Sequence, residues 1–166
     1  MLKTAAAMST ESSAHSNAFL AIFWGGLACA VGDITQAFLA FGLLSGANPV
    51  RILQSIASGV LGPNSFQGGA KTASLGLLLH FVIAFGAATV FYVASRWLSF
   101  MTTHVVISGM LYGEAVFLFM HFIVVPLSAA AKGHFGMATL ITGPIGHMFL
   151  VGLPIALAVK RWAPLK

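Results

Sequence analysis

Charge is what this sequence has least of. Of its 166 residues only 7% are charged, and the acidic ones are three, Glu11, Asp33 and Glu114. A soluble domain covers roughly 25–35% of its surface with Lys, Arg, Glu and Asp, so a chain this poor in charge is not one. Cysteine is limited to Cys29. That excludes an internal disulfide framework and any Cys-x-x-Cys metal knuckle, and a lone cysteine among apolar residues reads as a small packing residue. No Gly-rich phosphate loop, no His-Glu-x-x-His and no Gly-x-Ser-x-Gly occurs, so the sequence carries no enzyme signature of those kinds. The net charge of +5 comes from eight scattered basic residues. Without a basic cluster or interleaved aromatics they indicate no nucleic-acid partner. They suit membrane edges and anionic lipid headgroups instead.

What fills the chain is apolar. Hydrophobic residues make up 58% and the mean hydropathy is +0.96. The expected fold is all-α: an integral membrane four-helix transmembrane bundle with a short interfacial amphipathic helix between helices 1 and 2. Residues 1–17 are rich in Ala, Ser and Thr without apolar periodicity and read as a disordered tail. The bundle occupies 18–162, with spans at about 19–44, 71–95, 104–126 and 137–159, and 163–166 form a short C-terminal tail. The apolar run from Ala18 to about Leu44 is too long for a cleaved signal sequence.

Between the first two spans, Asn48-Pro49 is a helix start, a capping residue followed by proline in the first turn. Ile52, Leu53, Ile56, Ala57, Val60 and Leu61 then recur at helical spacing, with Arg51, Gln54, Ser55 and Ser58 opposite. A helix over 49–61 is too short to span, so it is expected along the interface, with a re-entrant half-helix as the alternative. The short turn from Arg96 to His104 predicts that the second and third spans are antiparallel neighbours. Lys3, Arg96, Lys160, Arg161 and Lys166 on one side against Arg51, Lys71 and Lys132 on the other place both termini in the cytoplasm, in a bacterial inner (plasma) membrane.

Each span carries an ionisable group, and in hydrocarbon such a group is read as functional by default. Counting ~1.5 Å per residue, Asp33 lies about 16 Å, His80 roughly 12–14 Å, Glu114 about 18 Å and His147 about 15 Å from the outer end of its span. His121 lies about 8 Å below that surface, seven residues from Glu114 and on nearly the same helix face. Gln36 stands beside Asp33, and small residues flank these positions, as close helix packing in lipid requires. His15, His104 and His134 fall in the tail and loops.

Three readings follow. Asp33, Gln36, His80, Glu114, His121 and His147 can form a proton or ion pathway, with Glu114 and His121 as a relay and the others as a central site. They can instead be structural, hydrogen-bonding across helices in a non-enzymatic accessory subunit that forms a homo-oligomer or packs against other membrane proteins. Or Asp33, His80, Glu114 and His147 can ligate a metal, or two facing histidines a haem, although no Glu-x-x-His pair is present. No cofactor is expected by default.

Three stretches carry a resemblance: His80 followed by FVIAFGAATVFYVAS, His121 followed five residues on by Pro126-Leu127, and Gly146-His147 with Lys160-Arg161 ending the last span. In these the chain resembles the YagU-like family of uncharacterised four-helix bacterial inner-membrane proteins, over about half its length. The resemblance implies the fold and the membrane location, and a link of that family to acid tolerance implies proton handling. It does not extend to Asp33.

Overall fold

The computed structural model describes the backbone of residues 2–130 and 137–164 and the side chains of 17–44, 46–130 and 142–164. Helix α1 is Leu2–Ser45. The side chains of the tail expected over 1–17 lie outside the described ones except for Asn17, and the C-terminal tail at 165–166 lies outside the described residues. Gly46 stops α1 by taking a φ of +64°, a left-handed conformation that costs glycine little. Asn48 then caps α2, Pro49–Leu61, its side chain accepting from the Arg51 N–H at 2.8 Å, with proline in the first turn. A 3₁₀ turn over Gly62–Gln67 leads to α3, Gly69–Trp97.

The remaining elements are α4, Phe100–Thr103; α5, Val105–Phe119; α6, Val125–Leu127; α7, Met137–Gly146; and α8, Leu153–Trp162. Two π-helical turns join them, Met120–Val124 between α5 and α6 and His147–Gly152 between α7 and α8. Each π turn lies just upstream of a proline, Pro126 and Pro154. A proline inside a helix lacks the N–H and crowds the carbonyl four residues back, and widening the preceding turn makes room for it.

The fold is an all-α bundle with four helices long and apolar enough to cross a membrane: Asn17–Leu44, Gly69–Trp97, Val105–Leu127 and Thr142–Trp162. This is a multi-pass membrane architecture, and the spans fall within a few residues of those expected. Apolar side chains such as Val31, Leu43, Leu78, Ile107 and Leu111 are exposed on its outside, as lipid-facing surface should be.

α1 packs against α3 and α8, and α5 packs against the second π turn and α8. Contact is closest where glycines meet. A Cβ on Gly113 would overlap the His147 carbonyl, and one on Gly152 would overlap the Gly109 carbonyl. Gly109 and Gly113 are thus a small-residue seam that sets α5 directly on the last span.

Two expectations change. The second and third spans follow one another through a short turn, but they do not pack along their length. Tyr112 Oη donates to the Ala87 carbonyl at 2.7 Å and meets the Phe91 ring edge-on at 5.0 Å. Beyond that contact an apolar cleft of about 510 Å³ separates them, lined by Gly86, Val90, Ala115 and Phe119 among others. Both spans find their close partner elsewhere, α3 on α1 and α5 on the last span, which overrides the shortness of the loop.

The second change is the face of α2. It crosses α3 where a Cβ on Gly76 would overlap the Leu53 carbonyl. Gln54 and Ser58, which stand opposite the apolar residues, are buried together with Ile52 and Ala57 of the apolar set, while Val60 and Leu61 of that set are exposed, Val60 by 63%. Gln54 decides the rotation, because its Nε2 donates to the Gly69 carbonyl at 3.1 Å and to Thr72 Oγ1 at 3.3 Å. At its far end the Gly59 carbonyl accepts from the Ala129 N–H at 2.9 Å, so α2 reaches across to the end of the third span.

Candidate functional site

Four separate stretches of chain bring their polar groups to one cavity of about 280 Å³. Cys29, Asp33 and Gln36 come from α1, His80 from α3, His121 from the first π turn, and His147 from the second. Ile52, Ser55 and Ile56 of α2 line it as well, so α2 closes the cavity at its own end of the bundle. The remaining wall is largely apolar, with Ile34, Phe41, Ile83, Val116 and Phe117.

The side chains are held in different ways. His80 is 9% exposed, and its Nε2 is 2.9 Å from the Ala30 carbonyl. A carbonyl only accepts, so Nε2 carries the proton. His147 Nδ1 lies 2.9 Å from the Gly143 carbonyl, one turn back, and by the same reasoning carries a proton. The same Nδ1 is 3.9 Å from Asp33 Oδ1, and these two side chains remain 18% and 21% exposed. Gln36 Nε2 donates to the Thr142 carbonyl at 3.4 Å, tying α1 to the start of the last span. Phe117 stands between two imidazoles, its ring centroid 4.3 Å from that of His121 and 5.2 Å from that of His147.

Five of the six residues singled out from sequence therefore converge: Asp33, Gln36, His80, His121 and His147. Glu114 does not line the cavity. It precedes His121 by two helical turns on the third span, and the neighbouring Gly113 is where the α5 backbone rests on the His147 carbonyl. Its Oε2 is buried with no hydrogen-bond partner among the described residues. The metal set Asp33, His80, Glu114 and His147 does not assemble either: among the described residues no three His, Cys, Asp or Glu side chains are grouped to hold a metal ion.

Sequence reasoning passed over Ser55 and Phe117. Ser55 was one of several polar residues opposite the apolar side of α2, and it lines the cavity beside Ile52 and Ile56. Phe117 was one of many aromatics, although its four-residue spacing from His121 puts the two rings on one helix face.

The fold and this cavity define a multi-pass α-helical membrane protein with a titratable, partly accessible chamber among its spans. Comparison with family models, with curated proteins and with solved structures finds no match to this chain.

Proposed function

We propose that this chain is a small bacterial inner-membrane protein that handles protons or ions through its intramembrane cavity, with both termini in the cytoplasm. The observation that carries this reading is the Asp33–His147 approach, 3.9 Å between two spans with both side chains still partly exposed. A histidine that only fastens helices resembles His80, buried and bonded to a neighbouring helix's carbonyl. His147 differs: its backbone bond is within its own span, and it faces a carboxylate across the chamber. A proton taken up at His147 Nε2 leaves Nδ1–H in place beside Asp33, which supplies the compensating negative charge. His121, beside Phe117 on the same wall, is the next titratable group toward the α2 end.

Membership of the YagU-like family is part of this proposal and rests on the three stretches quoted above. The test is proton uptake into proteoliposomes under an imposed potential, read with an internal pH dye. Purified protein should raise uptake above protein-free vesicles, and His147→Gln should return it to background; equal uptake in protein-free vesicles removes the proposal.

A second reading, an accessory subunit that packs against another membrane protein, is favoured by the cleft between α3 and α5. A Cβ at Gly86 would meet nothing within 4 Å, and Ala115 faces it on the other side, so a further helix could approach closely there. Cysteines at Gly86 and Ala115, crosslinked in native membranes, decide it: a defined adduct supports this reading, and its absence removes it.

A further inference from the structure

Four polar side chains of the cavity share a pattern in where their donors go. His80 Nε2–H is given to the Ala30 carbonyl and His147 Nδ1–H to the Gly143 carbonyl, both at 2.9 Å. Ser55 Oγ–H is given to the Ile52 carbonyl at 2.6 Å, and a Gln36 amide N–H to the Thr142 carbonyl at 3.4 Å. Four donors are thus committed to main-chain oxygens. What these residues retain is acceptor capacity: His80 Nδ1, His147 Nε2, the Ser55 and Gln36 oxygens, and both oxygens of Asp33. Gln36 retains one N–H as the exception. Among the described residues no Lys or Arg lines the cavity, and Asp33 is the one acidic residue that does.

Rich in acceptors and carrying a single carboxylate, such a chamber selects a monovalent, hydrogen-bond-donating cation. A divalent metal is disfavoured because no three ligating side chains are grouped for it among the described residues. An alkali ion prefers an all-oxygen shell, whereas two of the acceptors here are imidazole nitrogens. A primary ammonium offers three N–H donors on one positive charge, suiting the Asp33 carboxylate and the His147 imidazole that stands 3.9 Å from it. The volume, about 280 Å³, corresponds to roughly nine waters at ~30 Å³ each. That exceeds a bare ion, and the Ile34, Ile56, Ile83 and Val116 walls suit a short alkyl chain. Phe41 and Phe117 add ring faces that attract cations.

We infer that the cavity binds a small primary alkylammonium, with its –NH₃⁺ group beside Asp33 and His147 and its alkyl chain against the isoleucines. This rests on reading the cavity as an ion-handling site and names the ion.

The test uses the full chain, labelled with ¹⁵N-histidine and held in lipid nanodiscs, titrated with methylammonium, butylammonium, tetramethylammonium and potassium chlorides. Saturable shifts of the unprotonated nitrogen of His147 are expected with methylammonium and butylammonium, with tighter binding for butylammonium. Tetramethylammonium has the charge but no donor, and it should produce no saturable shift, nor should potassium. Asp33→Asn should weaken alkylammonium binding roughly tenfold or more through loss of a charge-assisted bond. The His80 signal, retained with its Nε2–H tautomer, reports that this variant is folded. Equal shifts with all four salts, no shift with any, or an Nε2–H tautomer at His147 each overturn the inference. Proton uptake in vesicles is read independently, so uptake that persists without alkylammonium binding overturns this inference and leaves the proton reading standing.

Discussion

His147 Nδ1 lies 3.9 Å from Asp33 Oδ1 while bonding at 2.9 Å to the Gly143 carbonyl. One nitrogen thus serves its own span and faces another. The arrangement depends on the π turn His147–Gly152, which widens the last span where Gly113 seats against it. Backbone packing lies on one side of the ring and a carboxylate on the other, and its second nitrogen, Nε2, is the one without a proton.

The glycine seam should be intolerant of even one methyl group. Gly113→Ala places a Cβ on the His147 carbonyl, and since both partners there are backbone, overpacking should cost about 1–3 kcal/mol. Gly86→Ala meets nothing within 4 Å and should stay within about 0.5 kcal/mol of the parent. Thermal unfolding in one detergent checks the pair. Equal stability of both variants would contradict the packing described.

Arg96 ties the second span to the end of the fourth. Its Nη2 donates to the Ala163 carbonyl at 2.6 Å, and its guanidinium lies 4.9 Å from the Tyr92 ring centroid. Arg96→Ala removes a charge-assisted bond worth roughly 1.5–3 kcal/mol. Hydrogen exchange over residues 158–164 should accelerate, with the centre of the bundle unchanged. Arg96→Lys should recover only part, because a lysine lacks the planar fork that lies over Tyr92.

Pro154 should act on His147 without touching it. Pro154→Ala restores an N–H and removes the ring that the π turn accommodates. The turn should relax toward α-helix and rotate His147 relative to Asp33. The expected outcome is unchanged or higher thermal stability with proton uptake at least several-fold lower. Unchanged uptake would show that the π turn does not set the geometry of the pair.

Much of this architecture was legible because hydrocarbon imposes strict rules. Length and hydropathy located the four spans, and Asn48-Pro49 marked the start of α2 at the observed residue. Depth was legible as well, since a fixed rise per residue put Asp33, His80 and His147 in one slab. Rotation was not. The choice between Gln54 and Val60 as the buried side of α2 is made by the Gly69 carbonyl and Thr72, which are brought into reach by tertiary packing. Nor was the exclusion of Glu114 legible: its face and depth suited a relay with His121, but it does not line the cavity that His121 does. Pro144 and Pro154 mark the fourth span for a kink and Pro126 the end of the third, but neither signal gives the π turns at Met120–Val124 and His147–Gly152.

The central claim is that Asp33 and His147, rather than Glu114, carry the activity. Proton uptake in proteoliposomes, measured side by side for the parent, Asp33→Asn and Glu114→Gln at matched protein density, tests it most directly. Asp33→Asn should lower uptake at least about tenfold, the loss expected when an intramembrane charge partner is removed, while Glu114→Gln should stay within about twofold of the parent, as suits a side chain outside the cavity. The reverse pattern, with uptake lost in Glu114→Gln and kept in Asp33→Asn, would contradict the account and place the pathway on the other side of Phe117.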